Sequence, residues 1–300
     1  MTASLKPSLK PSLKPSLKHL IILTAIALLG SSLAQERQTM FNVGSYRLYM
    51  ACEGAQLNSL ANAPTVLLAT GFGRGSDDLW AKVTPDVAKF ARVCRYDRAN
   101  IGKSDRANGP MTTARIVADL EKLLEVANVR GSFVMVGQGF GSFTVRAFAA
   151  KHSARVAGAV LIEPQPEAFA LKSLDVIPAK PEGEENAREL RPDFLVPRIA
   201  DVNYAESAEQ VAKSGNLGSL PLAVLVRGKP SSASDSTTDN YPDGMNAALE
   251  KSQRALQTGL AKLSKRGKAV SVKTAGPILE QAPEEVVSAI RNVLKMASPK

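Results

Sequence analysis

The chain has 300 residues and a formal net charge of +10. That length can bury one sizeable core with a minor insertion, which argues against a string of domains. Its basic residues are scattered and only one Trp accompanies nine Phe and five Tyr, so no basic, aromatic strip for nucleic acid is built and no nucleic-acid partner is expected.

Residues 4–18 repeat Ser-Leu-Lys four times, the first three copies each followed by Pro. Such low complexity cannot build a core. An apolar run of about ten residues follows, Leu20 to Leu29, and then Gly30-Ser31-Ser32-Leu33-Ala34. Basic, apolar and small-residue regions in this order predict a signal peptide over 1–34, cleaved after Ala34. A membrane span needs roughly 20 apolar residues, so no stable membrane insertion is expected after cleavage. The expected location is secreted or periplasmic. Loss of Lys6, Lys10, Lys14 and Lys18 lowers the charge from +10 to +6.

The predicted elements then follow in order. Gln38–Val43 and Tyr46–Glu53 alternate as a hairpin across Gly44-Ser45. Pro64 to Ala69 reads as a strand entering the loop Thr70-Gly71-Phe72-Gly73-Arg74-Gly75, and Trp80 falls in a short helix. Ala91 to Tyr96 is a further strand, ending in Asp97-Arg98-Ala99-Asn100-Ile101-Gly102-Lys103-Ser104-Asp105. The spacing of Ile116, Leu120, Leu123 and Leu124 predicts a helix over Thr113–Ala127.

The richest stretch is Phe133–Pro164. A short apolar strand, Phe133 to Val136, runs into the turn Gly137-Gln138-Gly139-Phe140-Gly141. A helix over Ser142–Lys151 carries Phe143, Ala147 and Ala150 on one face, and Ala157 to Ile162 closes the unit as a parallel strand. The turn fits two patterns. Gly137-x-Gly139-x-x-Ser142, with Glu163 ending the next strand, matches two glycines of a dinucleotide fingerprint. Gly137 to Gly141 also matches the strand-to-helix elbow G-x-S-x-G, with Gly139 at the serine position.

The surroundings decide between them. The succession Gly71-Phe72-Gly73, Trp80, RVCRYDRANIGKSD, the apolar turn and VAGAVLIEP resembles the α/β-hydrolase superfamily, over about 38–168 and 218–296. PLAVLVR at 221–227 resembles that family's seventh strand and Pro283-Glu284-Glu285-Val286 its last helix. A dinucleotide fingerprint normally opens the first strand of its own domain, and several strands precede Phe133. The resemblance implies a mostly parallel eight-stranded sheet with helices on both faces, a core over 36–168 and 218–300, and a small cap over 169–217.

It also implies a site, and much of that site is missing. Gly139 stands at the nucleophile position. Counting back from Pro283-Glu284, the family's histidine falls at about Gly276, with Thr274 and Pro277 as neighbours. The chain has two histidines: His19 precedes the cleavage site, and His152 ends the elbow helix as an expected surface residue. Glu163 matches one place for the acid; the other, after the seventh strand, offers none before Asp235. The oxyanion donors would be the backbone N–H groups of Phe140 and Phe72, with Gln138 beside them as a ligand-binding residue. Cys52 and Cys94 are implied to lie on neighbouring strands and to form a disulfide, which an oxidising compartment would preserve.

The expected function is accordingly a non-catalytic fold member binding a small acyl or ester-like ligand, with no cofactor and no metal. A divergent esterase using Glu163 and water, and a dinucleotide-binding protein, are the alternatives.

Overall fold

The computed structural model describes residues 37–54, 63–169, 201–230 and 245–297. Residues from Glu36 on form one compact unit. Residues 1–34, where a signal peptide is expected, lie outside the described residues, and among the described residues no helix is long and apolar enough to cross a membrane.

Eight strands form one sheet in the order β1-β2-β4-β3-β5-β6-β7-β8. The hairpin is β1 (Arg37–Asn42) and β2 (Arg47–Glu53), antiparallel to each other, with β2 also antiparallel to β4 (Val93–Tyr96). β3 (Thr65–Ala69), β5 (Phe133–Gln138), β6 (Val156–Ile162), β7 (Leu222–Arg227) and β8 (Gly267–Val272) run parallel to β4 and to one another. Period-two alternation sends neighbouring side chains into two cores, one on each face. Leu67 and Met135 enter one cluster, while Val66, Leu68, Val134 and Val136 enter the other. The inner strands are buried on both sides, which is why they read as continuous apolar runs rather than alternating ones.

The first face is covered by α3 (Thr113–Val126), α4 (Gly141–Lys151) and α5 (Tyr204–Lys213), and the second by α1 (Ser76–Leu79), α2 (Thr84–Ala88), α7 (Ile278–Gln281) and α8 (Pro283–Ala297). A further helix, α6 (Met245–Gly259), packs beside β7. Ile116, Leu120, Leu123 and Leu124 of α3 are all buried, as their spacing required. α4 differs from its reading. Between sheet and helices it is buried nearly all round, so Val145, Phe148 and Ala149 are buried while Ala147 and Ala150 are only partly so.

The C-terminal part of the 169–217 stretch, expected as a cap, carries a helix. α5 lies within it, and its Tyr204 and Val211 enter the core cluster against α3 and α4. That helix belongs to the helical layer, because its apolar side chains are spent on the core. Residues 170–200, the remainder of the expected cap, lie outside the described residues.

Cys52 and Cys94 face each other across β2 and β4 and are joined by a disulfide. The pairing implied from sequence is present, closing a loop with a sequence separation of 42.

Candidate functional site

The parallel strands deliver their C-terminal ends to one edge of the sheet, where open α/β sheets place their sites. β3 delivers the loop Thr70–Gly75, β5 the turn at Gly139, β6 Glu163 and β8 the loop Thr274–Gly276.

Three glycines shape the turn, in two different ways. A Cβ on Gly137 would lie 2.6 Å from the Gly141 carbonyl oxygen and 2.8 Å from Val145 Cγ2. A Cβ on Gly141 would lie 2.5 Å from the Ala69 oxygen and 2.8 Å from that of Thr70. Neither position can carry a side chain without moving backbone. Gly139 is the opposite case: its φ is +53°, and a Cβ there would meet nothing within 4 Å. Closed flanks around an open, left-handed centre are the geometry of an elbow that presents a nucleophile. Here the presented residue has no side chain. Its N–H donates to the Ile162 oxygen at 3.0 Å, and its own oxygen accepts from Gln165 N at 3.0 Å and Ser142 N at 3.1 Å.

The expected backbone donors are Phe72 and Phe140. Among the described residues, neither the Phe72 nor the Phe140 N–H has a hydrogen-bond partner. Their rings stack with centroids 4.4 Å apart, and Phe143 and Tyr204 extend the aromatic group, 5.1 Å and 6.3 Å from Phe140. Gln138 folds over Gly71, whose missing Cβ would lie 2.5 Å from Gln138 Oε1. Burial pushes the Tyr204 phenol up to about 12.

The loop Thr70–Gly75 is held by Asp97, just past β4. Its carboxylate accepts from Ser76 N at 2.5 Å and Lys103 N at 2.7 Å, and it is buried. A Cβ on Gly102 would collide with that carboxylate. Ser104 Oγ donates to the Asp97 oxygen at 2.7 Å and accepts from Tyr49 N at 2.9 Å. The run YDRANIGKS is thus a brace that fixes the end of that loop, with Asp97, Asn100 and Ser104 closing backbone gaps.

Glu163 is not a free base. Its backbone adopts φ +43°, and its side chain is mostly buried. One carboxylate oxygen lies 2.8 Å from Arg227 Nε, and the other accepts from Ile278 N at 3.1 Å. Burial raises its pKa, against the lowering effects of the Ile278 N–H and the Arg227 charge. Arg227 also donates from Nη1 to the Ala275 oxygen at 3.2 Å, so one guanidinium spans the acid and the loop expected to carry the histidine.

That loop is closed on itself. Gln281 Oε1 accepts from Gly276 N at 3.0 Å, and the single Thr274 O–H is shared between Gln281 Oε1 and the Gly276 oxygen, 3.0 Å away. A Cβ on Gly276 would overlap the Gln281 amide. The position expected for the histidine, about Gly276, is thus occupied by the Gln281 side chain. His152 is elsewhere, at the end of α4, with Nε2 2.6 Å from Glu121 Oε1 and its ring 4.6 Å from that of Phe148. Asp235 lies outside the described residues. Among the described residues no group of three or more His, Cys, Asp or Glu is placed to hold a metal ion.

The sequence reading thus brings Phe72, Gln138, Gly139 and Phe140 together at the turn and Glu163 at the end of β6. It passed over Arg227 and Gln281. A charged residue closing the apolar strand PLAVLV was a usable sign for Arg227; nothing local marks Gln281.

Comparison with known proteins agrees with this fold. The uncharacterized Bacillus subtilis protein YqjL is 28% identical over 166 residues, 55% of this chain and 62% of its own length. The chain therefore spans less than two thirds of that relative. Among solved structures, Cfl2 of Burkholderia cenocepacia matches with a TM-score of 0.58 at 20% identity, covering 88% of this chain and 97% of that one. A thermophilic esterase of Thermogutta terrifontis matches with a TM-score of 0.56 at 20% identity, covering 89% of this chain and all of the esterase chain (100%). The profile of the alpha/beta hydrolase fold matches residues 64–215, from the strand before the expected oxyanion loop through α5, and by that match the chain belongs to the alpha/beta hydrolase fold family.

Proposed function

We propose that this protein is an exported, non-catalytic member of the family that binds a small acyl or ester-like ligand at the elbow without turning it over. The observation that carries the reading is Gly139. The elbow is built to present a side chain, with closed flanks and an open centre, and glycine has none to attack with. The filled histidine position and the paired Glu163 support the same reading, since neither proton acceptor nor orienting acid is available. Backbone donors at Phe72 and Phe140 that are unpartnered among the described residues, and the aromatic group beside them, support retained binding. The fold neighbours include an esterase, which suggests the ligand class.

The test is binding measured together with turnover. Fluorophosphonate labelling and p-nitrophenyl ester hydrolysis by the native protein should both be at background, while short-chain ester analogues raise its melting temperature. Covalent labelling of the native protein would overturn the reading. Ester turnover abolished by Glu163→Gln would instead favour a hydrolase that works through that carboxylate.

A further inference from the structure

We propose that the groove between the end of β7 and helix α6 is a binding site for a phosphate monoester with an apolar body. The proposal stands apart from the acyl-ligand reading, because the groove has its own walls and its own charges.

Two adjoining depressions meet there and share Glu250 and Arg254. The larger has a volume of about 640 Å³ and is walled by Pro230, Ala247, Ala255 and the stem of Lys251. The narrower adds Lys229 and Arg227. Arg227 is already bound to Glu163 and the Ala275 oxygen. Lys229, Lys251 and Arg254 are different: none of them has an ion-pair partner among the described residues. Surface cations usually find a carboxylate or stand apart. Three unpaired ones around one groove repel each other, and a low-dielectric wall focuses their field on whatever enters.

Charge and shape together select the ligand. Among the described residues, Lys229, Lys251 and Arg254 line the groove with one carboxylate outside the Arg227 pair, Glu250, so its described lining is net positive. A phosphate monoester carries about −1.5 to −2 at neutral pH, while a carboxylate carries one charge. Arg254 offers the planar fork that binds phosphate oxygens in pairs. The alanine and proline walls suit an apolar body running away from the phosphate. The narrow end backs onto the segment just after β6 through Gln257, whose Nε2 donates to the Pro164 oxygen at 3.0 Å.

The test titrates the mature protein with phenyl phosphate and inorganic phosphate by calorimetry, and with vesicles of phosphatidylcholine with and without phosphatidic acid by flotation. Phenyl phosphate should bind, more tightly than inorganic phosphate, and should weaken at least tenfold in Lys229→Glu/Arg254→Glu. Binding of the acidic vesicles, lost in the same variant and without soluble phosphate binding, would identify a lipid headgroup as the source and also support the site. Should the double variant fold poorly, the exposed single change Lys251→Glu gives the same readout at several-fold. Three results overturn the proposal: no probe binds at millimolar concentration, the variants bind as well as the native protein, or phenyl and inorganic phosphate bind equally. Residues 231–244 contain Asp235, Asp239 and Asp243 and no Lys or Arg. Binding that emerges only after all three are changed to Asn would assign the groove to the chain's own acids, and would also overturn it.

Discussion

Replacing each glycine of the elbow in turn tests the site at its centre. At Gly139 an added Cβ meets open space, so the cost of Gly139→Ser is conformational. A left-handed backbone costs a non-glycine residue about 1–2 kcal/mol, and the stiffer unfolded chain returns about 0.4–1. The net loss should be about 1 kcal/mol. At Gly137 and Gly141 the Cβ would lie 2.6 Å and 2.5 Å from backbone carbonyl oxygens, and backbone in a central strand and a buried helix has nowhere to go. Overpacking typically costs about 1–3 kcal/mol, and Gly137→Ala and Gly141→Ala should reach the top of that range. At about 2–4 °C per kcal/mol for a domain of this size, Gly139→Ser should melt about 2–4 °C lower, the flanking variants about 6–12 °C lower. Thermal unfolding by circular dichroism on the four proteins reads this directly. Should Gly139→Ser lose as much as Gly141→Ala, the centre of the turn is not open and Gly139 is not a vacated nucleophile position.

Removing the disulfide with Cys52→Ala/Cys94→Ala should lower stability by about 4 kcal/mol in the chain-entropy account, given the sequence separation of 42; urea unfolding measures it, and a loss under 1 kcal/mol would refute the loop-closure argument. Glu163→Gln should lose about 2 kcal/mol in the same assay, because it removes the carboxylate charge that bonds Arg227 Nε; no loss would mean that the pair contributes nothing. Burial pushes the Tyr49 and Tyr204 phenols up to about 12, the Asp77 hydrogen bond adding to it at Tyr49. The unfolded chain ionises near 10 and the folded one does not, so stability should be whole below pH 10 and fall as pH rises toward 12; urea midpoints at pH 8, 10 and 11.5 should decline in that order. Protein recovered from an exporting host should begin at Gln35, and intact Met1–Ala34 in a membrane fraction would refute cleavage.

What could be read from the sequence follows from burial. Strands β3 to β7 are covered on both faces, so their residues are apolar without a break and stand out in the chain. β8 is an edge strand with Lys268, Ala269, Val270 and Ser271 exposed, and a strand that buries little leaves little pattern; neither it nor α6 was placed in advance. The Cys52–Cys94 pairing followed from the resemblance, because strand order cannot be computed from either cysteine's neighbours. Gly139 was found because a glycine-rich turn between strand and helix is a local pattern. The roles of Arg227 and Gln281 depend on contacts across 64 positions in the chain for one and on a loop closing on itself for the other, and no local pattern records them.

Those two side chains bear on how the site came to rest. If the neighbouring positions were vacant, Gly139→Ser/Gly276→His would build a reactive pair. They are not vacant. A side chain at Gly276 would run into the Gln281 amide, which must leave its bonds to Gly276 N and the Thr274 hydroxyl. Glu163 would have to exchange Arg227 and the Ile278 N–H for an imidazole. An unactivated hydroxyl at Gly139 is a weak nucleophile at neutral pH, so the double variant should stay at background in fluorophosphonate labelling. Adding Gln281→Ala and Arg227→Ala removes both obstacles, and only in that background should labelling rise. Labelling by the double variant alone would show that the interlock is loose and that these contacts do not hold the site shut.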